Sequence, residues 1–109
     1  DWPHLEVYSK ALSVLLEDKR VDAVILILYI TPSLDYETLI KNIVTVSKQY
    51  IKPIVTCCLS SDKATASKCI KELEKHNIPC YRMPEKAAKA MVGLIKYSTL
   101  NQKLQIIDR

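Results

Sequence analysis

The sequence predicts an α/β fold built on a small parallel sheet with helices on both faces. Three apolar runs, Val21–Ile30, Ile54–Cys58 and Cys80–Arg82, alternate with four stretches in which apolar residues recur at helical spacing. A strand with one face in water alternates apolar and polar residues, and these runs do not. Their pattern therefore favours strands that are covered by helices on both faces. This order is typical of parallel strands joined by right-handed crossovers.

The first helix and strand occupy the start of the chain. Pro3 suits the first helical position, and the helix is expected to end near Asp18–Arg20. The continuous run Val21–Ile30 then predicts a strand covered on both faces, and Thr31-Pro32-Ser33 ends it. The helical residues expected to face the core are Leu5, Tyr8, Leu12, Leu15 and Leu16.

The second helix is expected to begin near Asp35, because an Asp carboxylate accepts hydrogen bonds from the free amides of a first helical turn. Lys52-Pro53 then turns the chain into the second strand, Ile54–Cys58. The residues expected to be buried by this helix are Leu39, Ile40, Ile43, Val46 and Tyr50.

The third helix is expected from about Asp62 to His76. Asn77 suits the left-handed position just past a helix end, and Pro79 prevents the helix from continuing. A short strand, Cys80–Arg82, follows. The inward face of the helix is expected to consist of Ala66, Cys69, Ile70 and Leu73.

Pro84 opens a fourth helix, which is expected to end near Tyr97–Ser98. Residues 1–98 are therefore interpreted as one domain, and residues 99–109 as a linker, an edge strand or a docking tail. A first helix with no strand ahead of it is unusual in a βαβ unit, so a further strand is expected before Asp1. The inward face of the fourth helix is expected to be Ala88, Met91, Val92 and Ile95.

Composition argues against several classes of function. One glycine, Gly93, stands in 109 residues, and it falls in a helical pattern, so no glycine-rich phosphate loop is available. The net charge of +4 is spread over helical lysines that alternate with acids, whereas nucleic-acid sites cluster Arg with aromatic residues. No apolar run approaches the ~20 residues that span a bilayer, and no signal peptide opens the chain. We therefore expect neither nucleic acid nor membrane as a partner.

The four cysteines are interpreted as reduced core thiols. Cys57, Cys58, Cys69 and Cys80 form no C-x-x-C pair, and neither histidine is at ligand spacing from them. Neighbouring strand residues point to opposite faces, so Cys57 and Cys58 are poorly placed to share a metal. No metal site is expected, and free thiols fit a cytoplasmic location.

The best candidate site is the turn between the second strand and the third helix. It lies at the carboxyl end of a parallel strand, where such folds bind ligands, and the first amides of the helix have no partners within it. Hydroxyls, these amides and a lysine suit an anion, so the candidate phosphate-binding residues are Ser60, Ser61, Asp62, Lys63 and Thr65. The alternative is that Ser61 only caps the helix, and an Asp at this position is favoured without a ligand.

No catalytic residue is expected. A nucleophile needs a base within hydrogen-bond reach, and His76 stands at the far end of the third helix, ~20 Å from the serines. Asp22 precedes its strand instead of following it, so it is badly placed as a phosphoacceptor.

Three stretches resemble the NDP-forming acyl-CoA synthetases, relatives of succinyl-CoA synthetase. They are Val21–Pro32, Lys52–Thr56 and Asn77–Met91, and the likeness covers roughly Tyr8–Tyr97. The most specific of them fits the family form I-P-x-Y-R-x-P-E-x-A-x-x-A. The chain departs from the family in Leu59-Ser60-Ser61, where relatives commonly carry glycines, and in Met83, where they carry a capping Thr.

The resemblance implies a flavodoxin-like, three-layer α/β/α sandwich that lacks the family's first strand. It also implies a non-catalytic domain of an enzyme that converts acyl-CoA, NDP and phosphate into acid, CoA and NTP through a phosphohistidine on another domain. By position, the helix after Ser60–Ser61 is the one that helps to hold that phosphohistidine in related enzymes. CoA, ATP or ADP, and Mg²⁺ then belong to the parent enzyme, the partners are its other domains or subunits, and the isolated domain is expected to be inactive. The alternative is an interaction module or spacer that binds no ligand.

Overall fold

The structure, a computed structural model, describes the backbone of residues 4–107 and the side chains of residues 6–97. Pro3 and the side chain of Leu5 lie outside these ranges. Four helices and three strands alternate in the predicted order within the described chain. They are α1 (His4–Glu17), β1 (Val24–Tyr29), α2 (Tyr36–Ser47), β2 (Ile54–Leu59), α3 (Lys63–Lys75), β3 (Cys80–Tyr81) and α4 (Pro84–Ile107).

The three strands form a parallel sheet in the order β1-β2-β3. Val24 lies opposite Ile54, and Thr56 lies opposite Cys80. Helices α1, α2 and α3 pack on one face, and α4 covers the other. The predicted α/β fold with a parallel sheet is confirmed, and the layers have a flavodoxin-like α/β/α arrangement.

Strand β2 separates two apolar cores. Its residues Ile54 and Cys58 belong to the larger core under the three helices, and Val55 and Cys57 meet Ala87 and Met91 of α4. The Thr56 hydroxyl, fully buried, donates to the Pro79 carbonyl at 2.8 Å. Burial of β2 on both faces is therefore as predicted, and its one buried polar side chain is satisfied.

Strand β1 is covered on one face only. Ile25, Ile27 and Tyr29 keep 40%, 48% and 62% of their surface exposed, so the prediction of coverage on both faces is wrong for this strand. The cause is position: β1 lies at the sheet edge, and α4 packs chiefly over β2. The strand also begins later than Val21, because the Val21 amide closes a turn onto the Asp18 carbonyl.

Helix α4 begins at Pro84 as predicted, but it buries a different face and runs further. Ala87 and Met91 face the sheet, whereas Ala88, Val92 and Ile95 are exposed. The helix continues to Ile107, so the expected end near Tyr97–Ser98 is wrong. The prediction ended the helix where the apolar period faded, but no proline or glycine follows Gly93 to stop it. The division into a domain and a tail remains a prediction.

The remaining helical faces follow the predictions with small differences. In α1, Leu12 and Leu16 are buried and Tyr8 is half-buried, but Leu15 is 41% exposed. The other predicted positions that are buried are Leu39, Ile40, Ile43, Ala66, Cys69 and Leu73, and those that are half-buried are Val46, Tyr50 and Ile70.

Asp35 is the predicted cap of α2. Its carboxylate accepts from the Thr38 amide at 3.2 Å and from the Thr38 hydroxyl at 2.6 Å. Both bonds lower the pKa of Asp35 below its ordinary 3.8, and the bond from the Thr38 hydroxyl has the larger effect.

Asn77 ends α3 in the predicted left-handed conformation, with φ 65°. The Asn77 amide bonds the Glu74 carbonyl and the Ile78 amide bonds the Leu73 carbonyl, both at 3.0 Å. These two bonds define a Schellman motif, and its usual apolar contact is present because Ile78 and Leu73 share the larger core. The motif fixes the turn that leads α3 into β3.

Replacing Asn77 tests this turn. Asn77→Ala is expected to lower the free energy of unfolding by about 1 kcal/mol, because alanine adopts a positive φ less readily than asparagine does. Asn77→Gly, the matched control, is expected to be neutral or stabilising. Urea unfolding followed by circular dichroism measures both; equal losses in the two variants would show that backbone strain is not what Asn77 relieves.

Candidate phosphate-binding turn

The carboxyl ends of the strands form one rim of the sheet. β1 ends at Tyr29, β2 at Leu59 and β3 at Tyr81, and the parallel pairing brings these ends side by side. Helices α2, α3 and α4 all begin at this rim, so their amino-terminal amides lie there as well. The rim is where a doubly covered parallel sheet presents ligand-binding groups.

The turn Ser60–Thr65 connects β2 to α3 at the middle of this rim. Helix α3 begins at Lys63, with Asp62 at the N-cap in an extended conformation. The Ser60 hydroxyl accepts a hydrogen bond from the Asp62 amide at 3.2 Å, and this bond stabilises the turn. Ser61, proposed as a possible cap, is exposed, and the cap position belongs to Asp62.

Asp62 and Thr65 bind each other. The buried Thr65 hydroxyl donates to Oδ2 of Asp62, and this bond is the main cause that lowers the pKa of Asp62 below 3.8. The backbone amides of Thr65 and Ala64 also lower the pKa of Asp62, although neither forms a capping hydrogen bond to its carboxylate. The Asp62 carboxylate therefore places a negative charge at the amino terminus of α3.

The other two candidates remain open to solvent. Ser61 and Lys63 are exposed, and their side chains make no hydrogen bond to any residue in the described part of the chain. Of the five predicted residues, the structure joins Ser60 to Asp62 and Asp62 to Thr65. A hydroxyl and an ammonium group stay available beside them.

Arg82 is a part of this region that sequence reasoning did not assign. It follows β3 directly, and its guanidinium Nη2 donates to the Lys63 carbonyl at 3.0 Å and to Oγ of Ser67 at 2.8 Å. It thus clamps the first turn of α3 and brings a second positive charge next to Lys63. Its place just after a strand, on the same rim, was the available signal.

A second concave surface lies between α2 and α3 and runs along both helices from the first turn of α2. This groove, about 830 Å³ in volume, is lined by apolar residues such as Ile40 and Val44, by lysines, and by Glu37, Glu72 and His76. His76 Nε2 and Glu72 Oε1 are 3.7 Å apart, a loose contact between partly exposed side chains. The groove lysines are Lys41, Lys48, Lys68 and Lys71. They are exposed and interleaved with acids, as expected of a solvated helical face.

The cysteines are free and buried, as predicted. Burial raises the pKa of Cys57, and it raises the pKa of Cys80 to about 11. The neighbouring Cys69 thiol, together with burial, raises the pKa of Cys58. These three thiols are poor nucleophiles because the thiolate is the reactive form. The hydrogen bond with Cys58 lowers the pKa of Cys69, but Cys69 is fully buried. Within the described residues, no three His, Cys, Asp or Glu side chains are grouped to hold a metal ion.

Comparison with known proteins adds no relative. No family model, no curated protein and no solved structure matches this chain. Among the described residues, no helix combines the length and the apolar character that crossing a bilayer requires.

The Asp62–Thr65 bond has a testable pH dependence. Because the folded pKa of Asp62 is lowered, the bond stabilises fully above the ordinary pKa and is lost as pH falls through the lowered one. In Thr65→Val, the carboxyl titration midpoint of Asp62, followed by NMR, is expected to rise toward 3.8 while that of Asp35 is unchanged. Thr38→Val is the matched control and should move only Asp35. An unmoved Asp62 midpoint in Thr65→Val would contradict the assignment.

The thiols provide a second test. At pH 8, burial of all four thiols is expected to make them unreactive toward iodoacetamide in the folded protein, and the raised pKa values of Cys57, Cys58 and Cys80 act in the same direction. For Cys69, whose pKa is lowered by its hydrogen bond with Cys58, burial alone gives the protection. Mass spectrometry should therefore show labelling at the rate of global unfolding, and urea should make all four sites react together. Rapid modification of one cysteine in native buffer would mean that its part of the core opens locally.

Proposed function

We propose that this chain is a non-catalytic domain of an NDP-forming acyl-CoA synthetase, whose Ser60–Thr65 turn lies near the phosphate carried by a histidine of another domain. The observation that carries the proposal is the clamp between Arg82 and the first turn of α3. Arg82 belongs to the stretch that resembles the synthetases most closely, and its bonds tie that stretch to the candidate turn. The residues that resemble the family and the candidate anion-binding groups are thus parts of one rim.

Each residue of the turn has a distinct proposed role. The Ser61 hydroxyl and the Lys63 ammonium group meet the phosphate oxygens, and Arg82 adds positive charge while it holds the helix start in place. Ser60 and Thr65 shape the turn through their bonds to Asp62. CoA, ATP or ADP, and Mg²⁺ are assigned to other domains or subunits of the enzyme, and the free thiols support a cytoplasmic location.

A second candidate function is a spacer that binds no ligand and docks on neighbouring domains. The Asp62–Thr65 pair favours it, because the Asp62 carboxylate already supplies negative charge at the α3 terminus and repels an incoming anion. The two candidates therefore differ in one property, the affinity of the turn for phosphate.

Titration of the protein with inorganic phosphate and with free phosphohistidine, followed by amide NMR, separates these candidates. We expect shifts confined to Ser60–Thr65 and Arg82, larger for phosphohistidine than for phosphate. Asp62→Asn should tighten binding several-fold, because it removes the repelling charge. Lys63→Ala should weaken binding by a comparable factor.

Asp35→Asn, at the start of α2, is the matched control, because it removes the same charge from a neighbouring helix start. Equal effects of Asp35→Asn and Asp62→Asn would indicate a general charge effect. The absence of any shift at the turn, in both the unmodified protein and Asp62→Asn, would leave the spacer as the better proposal.

A further inference from the structure

The groove between α2 and α3 is bordered by lysines on both sides. Both helices begin at the rim and pack on the same face of the sheet. Helix α2 contributes Lys41 and Lys48 to one wall, and α3 contributes Lys68 and Lys71 to the other. Lys41 stands five residues after the start of α2 and Lys68 five residues after the start of α3, so these two lie at similar heights on the two walls.

Positive charge is concentrated in this groove. Its walls hold four lysines against two glutamates, whereas the whole chain carries a net charge of +4 over 109 residues. Half of that excess therefore lies among the residues that line the groove. A cleft with an excess of one sign of charge raises the local concentration of the opposite sign, so the groove attracts anions.

The groove lysines are not neutralised by the acids of their own helices. Glu37 and Lys41 on α2, and Lys68 and Glu72 on α3, have the i, i+4 spacing at which helical ion pairs form. Neither pair forms a salt bridge, and Glu72 approaches His76 instead, at 3.7 Å. Among the described side chains, no carboxylate forms a salt bridge with any of the four groove lysines. Their ammonium groups can therefore bind carboxylates from outside the chain.

We propose that this groove binds an acidic segment of a partner protein, whose carboxylates pair with the lysines of both walls. The spread of the lysines favours an extended anion. Lys41 and Lys48 are seven residues apart, which separates their Cα atoms by ~10 Å along α2. A single phosphate would occupy only part of this length, whereas the successive carboxylates of an acidic segment match it.

The side chains of the groove favour a peptide over a nucleic acid. Nucleic-acid sites combine arginines with exposed aromatic rings on which bases stack. Among the described residues that line the groove there is no arginine, and the aromatic one, Tyr36, is half-buried against the larger core. Ile40 and Val44 form an apolar floor between the charged walls. Charge complementarity of this kind provides specificity and fast encounter more than affinity, so the complex is weak and sensitive to salt.

Fluorescence anisotropy with a labelled peptide of about twelve glutamates tests this proposal, because a helix of that length spans the groove. Binding to the whole chain is expected at low ionic strength. It should weaken several-fold at ~0.15 M salt, where charges more than ~8 Å apart are screened. A glutamine peptide of the same length should not bind.

Charge reversal on either wall should weaken binding. Lys41→Glu on α2 and Lys71→Glu on α3 are each expected to raise the Kd roughly threefold to tenfold, because each replaces an attraction by a repulsion at an exposed site. Glu72→Gln should lower the Kd, because it removes a repelling charge. Lys89→Glu is the matched control: it makes the same change in net charge at an exposed position of α4 and should alter the Kd by less than about twofold.

Four outcomes would overturn the proposal. One is no binding of the glutamate peptide at low ionic strength, and another is equal weakening in Lys89→Glu, which would show a response to net charge alone. Tighter binding of an oligothymidylate of similar length would make nucleic acid the ligand. Amide NMR shifts on peptide addition that fall at the Ser60–Thr65 turn and not in α2 and α3 would place the acidic segment at the rim.

Discussion

A sheet of three strands has one interior strand, and the rest of this structure depends on covering it. Strand β2 is buried from Ile54 to Cys58, with three helices on one side and α4 on the other. Covering both faces of one strand does not require covering both faces of its neighbours. The apolar surface left on β1 follows from this geometry, because one helix on that side of the sheet cannot shield every strand.

The predictable features of the fold were those set by local chemistry. Asp35 caps α2 because its carboxylate reaches the amide of Thr38, and Asn77 ends α3 because asparagine tolerates positive φ. The exposed face of β1 and the inward face of α4 were predicted wrongly. Both depend on which strand α4 covers, and that choice is a contact between distant residues that the apolar pattern of either segment does not contain.

The candidate site shows the same division between local and distant causes. Topology alone placed the Ser60–Thr65 turn at the carboxyl end of a strand, and the structure has it there. The bond from Thr65 to Asp62 was within reach of the sequence, since residues three apart meet in a first helical turn. The position of Arg82 after a strand indicated that it lies at the rim, but its partners could not be predicted from the sequence. They are groups of α3 that reach Arg82 only because β2 pairs with β3.

Parallel strands also separate the polar and apolar surfaces of the molecule. The amides, hydroxyls and cations of the rim lie at the strand ends, whereas the open backbone and apolar side chains of β1 lie along the strand direction. The two surfaces are built from different residues, because the rim is made by the residues that follow each strand and the open edge by the residues within β1. A substitution at Ile27 therefore leaves the Ser60–Thr65 turn untouched, and a substitution at Lys63 leaves the β1 edge untouched.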